Sequence, residues 1–380
     1  MNENELMSSL PVPKAVAKMA IPSVISSLVT VVYNMADTFF VGQTGDPLQV
    51  AAVSLTNPIF ILFMAFANMF GMGGSAAASM AMGEKNEKRM KQVSAFVTYA
   101  SLIVGVALAV ILMVFMTPVL NMFGANEQTF LYAKGYTFHI AYGAPFIIWS
   151  VAASFVVRAE GASKEAMIGI LSGVCVTGLP TAVFSMLMSV STIMLNQILV
   201  AYGNAPVAAI GIVFKANMFI TFLQMGLANG VQPLLGYNYG SGDHKRFVSV
   251  ERYTKKCCVI VGILATALFF VLREPIIRLF ISDGEVVYYG VKMLIAYMLS
   301  GPVIGLLFVN MNCMQSVGNS FPATILSVMR QGLLLIPLLY LLNACMGLNG
   351  VIYGQALTDY AAVILSAVLW RRIRRRIERR

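Results

Sequence analysis

The chain has 380 residues, of which 58% are hydrophobic and 11% charged, with a formal net charge of +10. Soluble domains carry about a quarter charged residues, so a water-soluble globular protein is excluded, and a mean hydropathy of +0.79 points the same way. The positive charge does not mark a nucleic-acid binder: seven arginines sit in the last ten residues, RRIRRRIERR, directly behind an apolar run, where they suit anionic lipid.

Apolar runs of 18 or more residues, each able to cross a hydrocarbon layer of roughly 30 Å, recur along the whole chain. They predict an all-α polytopic membrane protein with ten full spans, at 19–41, 50–73, 93–117, 132–157, 180–202, 206–235, 257–272, 287–313, 322–343 and 348–370. The alternating pattern of a membrane barrel is missing. The opening, MNENELMSSL, is polar and acidic, so no cleavable signal is read and the first span is expected to serve as its own anchor. Five cysteines without framework or CxxC spacing read as apolar fillers.

The first span contains VVYNMADTFFVG, with Asp37 inside a stretch that has no charge from Met19 to Met35. A carboxylate at membrane depth costs about 2.5–3.5 kcal/mol on insertion scales, so such groups usually face a cavity or an ion path. Desolvated, it can hold a proton or Na⁺ in one state and release it in another. Asn34, one turn earlier on the same face, offers an amide to the same site.

The segments 84–91 and 243–256 read as basic loops; with Lys14, Lys18, Arg158, Lys164 and the tail they hold 20 of the 26 Lys and Arg. By the positive-inside rule both termini are expected in the cytoplasm, with the protein in the cell (inner) membrane.

The two halves repeat. At an offset of 157, Gly83 falls on Gly240, Lys88 on Lys245, Arg89 on Arg246, Phe123 on Phe280, Pro145 on Pro302 and Gly161 on Gly318. Upstream the offset is 158, where Ile21-Pro22 meets Leu179-Pro180. The copies start on the same side, so the repeat is parallel. The first copy is short: 52 residues follow Gly318 up to Trp370, but only the 16 residues 162–177 follow Gly161, a deficit of 36. The stub 166–178 is about 20 Å long as a helix, too short to span. Two pseudo-symmetric lobes are therefore expected: 1–177 with four helices and the stub, and 178–380 with six helices and the basic tail.

The second half has Leu195 where the first has Asp37, followed by Asn196 and Gln197; with Gln224 these amides either line a polar patch or bond between helices. Lys215 and Arg330 are intramembrane cations, and Asp359 an intramembrane acid that either binds a cation or pairs with Arg330. His139 and His244 stand alone, so no metal is expected.

The order of these features resembles the MATE (multidrug and toxic compound extrusion) transporters of bacterial type. It is carried by Ile21-Pro22, Asn34-x-x-Asp37-x-x-x-x-Gly42, Gly83, Gln232-Pro-Leu-Leu-Gly-Tyr-Asn-Tyr-Gly240, Arg330-Gln331, Ile336-Pro337 and Gly347-x-x-Gly350, across residues 15–370. The resemblance implies two helical lobes facing a central cavity, with drug leaving as protons or sodium enter. Beside it, the reading of the residues themselves gives Asp37 and Asn34 as the expected cation-coupling pair and Asn196, Gln197, Lys215, Gln224, Arg330 and Asp359 as the expected cavity residues, with a structural role the alternative for Lys215 as for the others. The end of the fifth and all of the sixth helix of that family are missing. A monomer handling lipophilic small molecules is expected, with no cofactor beyond the coupling ion and no enzymatic activity. The alternatives are a lipid-linked oligosaccharide flippase of the same superfamily, disfavoured by having only Lys215 and Arg330 within the membrane to hold a pyrophosphate, and a non-transporting deletion remnant.

Overall fold

In a computed structural model the described residues are 7–42, 47–123, 127–156, 187, 190–192, 194–281 and 283–377, and their regular structure is entirely helical. Inside hydrocarbon every backbone N–H and C=O must bond within its own segment, which is why runs this apolar become helices. The first half holds α1 (Val12–Gly42), α2 (Pro47–Gly83), α3 (Glu87–Val114), the short α4 (Met116–Met122) and α5 (Glu127–Val156). The second holds α6 (Val190–Val200), α7 (Asn204–Gly240), α8 (His244–Val271), α9 (Arg273–Arg278), α10 (Gly284–Met298) and α11 (Gly301–Ser316). It ends with α12 (Phe321–Val328), a π-helical turn at Met329–Leu334, α13 (Leu335–Met346) and α14 (Leu348–Ile377).

Among the described residues seven helices are long and apolar enough to cross a membrane, or eight if α10 and α11 form one broken span. Two of the ten expected spans are not among them. One, at 132–157, is α5, 30 residues long; the other, at 180–202, falls mostly outside the described residues, as does the stub 166–178.

Three expectations about boundaries change. Residues 87–91 and 244–256, read as loops, are the first turns of α3 and α8. Asn86 and Asp243 cap them, their side-chain oxygens accepting from Arg89 N at 3.0 Å and Arg246 N at 2.9 Å. The span 287–313 bends by 47° between α10 and α11, where Pro302 stands at the start of α11 and offers no N–H to the preceding turn. The span 322–343 carries the π turn, which no sequence pattern announced.

The repeat recurs in the fold at the same spacing. The caps Asn86 and Asp243, the breaks at Phe115 and Leu272, and the short helices α4 and α9 are all 157 residues apart. So are two close approaches of backbone. A Cβ on Gly105 would meet Pro145 Cα at 2.5 Å, and one on Gly262 would meet Pro302 Cα at 2.9 Å. Each repeat thus presses its third helix onto the proline of its fourth, and only glycine permits it. The lipid-facing side repeats too, with Ile103, Val106 and Ile111 exposed on α3 and Ile260, Ile263 and Leu268 on α8.

Within the first half α5 packs on α2 and α3; within the second, α11 packs on α7, α8 and α14. The halves meet along α7, which receives both α1 and α2. Ala15, Val16, Met19 and Ala20 of α1 are buried in the same apolar cluster as Leu227, Val231 and Leu234 of α7. At the end bearing the basic segments the contact between α2 and α7 is reciprocal. A Cβ on Gly83 would lie 2.2 Å from Tyr237 O, and one on Gly240 would lie 2.3 Å from Met80 O. Met80 and Tyr237 are themselves 157 apart, so a pseudo-twofold axis passes through this contact, and among the described residues the two halves are closed against each other at this end.

Candidate functional site

A small cavity lies on that axis where α2, α7 and α11 converge. Met72 of α2 faces it from one side, and its counterpart at the 157 offset, Asn229 of α7, from the other. Met225, Phe308 and Met311 add soft apolar surface, and Asn312 and Gln315 complete the wall. Met72 is eight residues from Met80, so the cavity floor lies roughly 12 Å from the closed end at about 1.5 Å per residue.

The amides are fixed by one another. Asn312 Nδ2 donates to Asn229 Oδ1 at 3.0 Å, and Gln232 Nε2 donates to Gln315 Oε1 at 3.1 Å. Ser316 Oγ donates to the Gln232 carbonyl at 3.2 Å. This ladder zips α7 to α11, although the Gln232 Oε1 is buried without a partner. It presents polar groups without formal charge.

Of the residues singled out in the sequence, Asn34 and Asp37 lie in α1, but their side chains fall outside the described residues. Gln224 is fully buried, and its Nε2 donates to Cys258 O at 3.0 Å and Gly301 O at 3.1 Å. It therefore brackets α7 to α8 and α11 from behind the cavity, the helix-bonding alternative of the two. Asn196 is half-buried and Gln197 exposed on α6. Lys215 is half-buried on α7, 14 residues from Asn229. Fourteen residues are nearly four turns, so Lys215, Met225 and Asn229 share one helix face.

Arg330 and Asp359 come together. Arg330 Nε donates to Asp359 Oδ1 at 2.8 Å, both side chains are almost fully buried, and Gln355 Nε2 donates to the same oxygen at 3.1 Å. The π turn carries Arg330, and π bulges re-aim a side chain by one position. Its guanidinium carbon is 5.9 Å from the ring centre of Phe308, which puts one residue between this pair and the cavity. Arg330→Met should leave Asp359 buried without its counter-charge and cost about 3–5 kcal/mol, read as a fall in thermal midpoint. Arg330→Met with Asp359→Leu should regain at least half of that loss. A single variant melting like the parent would show that the pair does not hold α14 in place.

Reading the sequence for isolated charges missed Asn229, Gln232, Asn312 and Gln315. Their signal was present as amides three apart, in ANGVQP and NMNCMQ, inside otherwise apolar runs. Of the two histidines, His139 is exposed and contacts the Gly135 carbonyl through Nδ1 at 2.8 Å. Among the described residues no group of three or more His, Cys, Asp or Glu could hold a metal.

A closed end, two parallel helical repeats and a mainly apolar cavity edged by amides on their axis define a multi-pass membrane protein of transporter build. The chain belongs to the MatE family, whose model matches twice, at residues 22–184 and 180–341. It is thus a transporter of the MATE multidrug efflux family and not an enzyme. The two matches start 158 residues apart and end 157 apart, the offsets found above, and they overlap at 180–184, leaving no residues between the copies. The multidrug export protein MepA of Staphylococcus haemolyticus (strain JCSC1435) is 27% identical over 428 aligned positions, covering 96% of this chain and 94% of its own. MepA of Staphylococcus aureus (strain NCTC 8325 / PS 47) is 25% identical, covering 94% and 93%. An alignment of 428 positions cannot be filled by 380 residues, so at least 48 positions of the first relative face gaps. In fold the chain is similar to an outward-facing multidrug resistance MATE family transporter of the MOP superfamily, with a TM-score of 0.93, 18% identity and full coverage of both chains. It is equally similar, with a TM-score of 0.93 and 18% identity over 100% of this chain and 99% of the other, to a MOP superfamily transporter from Pyrococcus furiosus Vc1 described as having a binding pocket of reverse polarity.

Proposed function

We propose that the chain exports amphipathic organic cations across the cell membrane, with both termini in the cytoplasm, by exchange for protons or sodium ions and by alternating access. The lining of the small axis cavity carries this reading, and the cavity must widen on opening to admit such a guest. Three methionines and a phenylalanine supply a polarizable surface that adapts to flat apolar bodies and attracts positive charge through the ring face. The amides Asn229, Asn312 and Gln315 add hydrogen-bonding partners without a fixed charge, which suits many substrates better than one. Both relatives' names, multidrug export protein, agree with such a pocket. The coupling group is Asp37, with Asn34 beside it, on the helix whose other end is buried against α7. Asp359 is a weaker candidate, because its charge is already held by Arg330.

Purified protein in vesicles should accumulate a lipophilic cationic dye when a proton or a sodium gradient is imposed, and discharge it when the gradient is collapsed. Dye movement that ignores both gradients would refute antiport. Dye exclusion together with transport of a lipid-linked sugar would replace the substrate class.

A further inference from the structure

Arg89 and Arg246 occupy the same point in the two repeats, each at the third residue after its capping residue. Their partners differ. Arg89 is half exposed and pairs with Glu84 of its own turn at 3.1 Å, a surface pair of little energetic consequence. At the 157 offset Glu84 becomes Ser241, and the acid that Arg246 does have nearby, Asp243, is engaged as the helix cap by the Arg246 backbone N–H. The Arg246 side chain reaches across instead. Its Nε donates to Met7 O at 3.0 Å and its Nη2 to Leu10 O at 2.6 Å. Asn238, buried on α7, donates its Nδ2 to the same Met7 carbonyl at 3.4 Å. The Met7 side chain is 3% exposed and packs in one cluster with Phe247 of α8.

Met7 and Leu10 lie just before α1, at the root of the helix that bears Asp37 in the first repeat. Arg246 belongs to the second. A guanidinium that bridges two backbone carbonyls is a strong and directional clamp, because its planar fork presents several donors at once. A rotation that carries this segment along with the first repeat must break it, whereas the Arg89–Glu84 pair lies within one turn and survives.

We propose that Arg246 is a latch: a positioning residue that fastens the root of α1 to the second repeat while the basic end is closed, and that releases when that end opens. The proposal rests on the alternating-access reading above. Labelling of a single cysteine at Asn229→Cys, in a background with the five native cysteines replaced, reads the gate directly. A membrane-impermeant maleimide is added from the side of the basic segments. Arg246→Gln should label roughly tenfold faster than the parent, Arg246→Lys should fall between, and Arg89→Gln should match the parent. Parent-like labelling of Arg246→Gln, or an equal rise in Arg89→Gln, would overturn the latch. Should Arg246→Gln fail to fold, a short bis-maleimide joining Leu10→Cys to Arg246→Cys gives the reverse test. It should slow labelling at Asn229→Cys, and unchanged labelling would also overturn the proposal. Neither measurement needs a drug, so a parent protein that does not export would sink the efflux reading and leave the labels to judge the latch.

Discussion

Asp37→Asn should reduce ion-driven drug export in vesicles to the level of gradient-free controls, with expression and melting temperature close to the parent. The amide keeps the shape of the carboxylate and removes the charge that a proton or Na⁺ must neutralise. Nothing else in α1 could substitute, since no other ionisable side chain lies between Met19 and Gly42 apart from Tyr33. Passive, downhill dye exchange should survive, because the cavity residues Met72, Asn229 and Phe308 are untouched. Undiminished uphill export by the variant would remove Asp37 from the coupling machinery and turn attention to the Arg330–Asp359 pair.

Gly240→Leu should be as damaging to export for a different reason. The leucine Cβ would begin 2.3 Å from Met80 O, a backbone atom that cannot swing aside, so α2 and α7 have to separate. The basic end should then stand open, with export lowered by more than tenfold and the Asn229→Cys reporter labelled from that side at all times. The protein should still fold. The cores under α3 and α5, built on Phe70, Phe96 and Ile148, do not include this contact. Gly135→Ala is the matched control: a Cβ there meets nothing within 4 Å, and alanine favours the helix by up to about 1 kcal/mol. Full export by Gly240→Leu would mean that the closed contact takes no part in transport.

The helical class, the parallel repeat and its spacing were all legible in the sequence, because punctuating residues such as Gly83, Pro145 and Pro302 mark backbone events that only their types allow. Charged residues were easy to see in an apolar chain, and two of them, Arg330 and Asp359, do form the pair that buried charge demands. Amides were read less well. Gln224 bonds to backbone on neighbouring helices, and Asn229 and Asn312 bond to each other. Which of these an intramembrane amide does depends on what stands across the helix gap, and a linear sequence does not encode that directly. The latch was illegible for a related reason. Lys88-Arg89 and Lys245-Arg246 are identical dipeptides, and only the loss of Glu84 at its counterpart Ser241 hints that their partners differ.

Met72 and Asn229 face each other across the pseudo-twofold axis from matching positions of the two repeats. In a dimer of identical lobes a residue beside the axis confronts its own twin, so a methionine there always means two methionines and an asparagine two asparagines. Joining the lobes in one chain lifts that restriction. One of the two axial positions can stay greasy while the opposite one becomes polar, so under the efflux reading an amphipathic guest would be held with one orientation preferred over its inverse. Met72→Asn, which restores the like-facing-like arrangement, is the single change that would test whether the molecule makes use of that freedom.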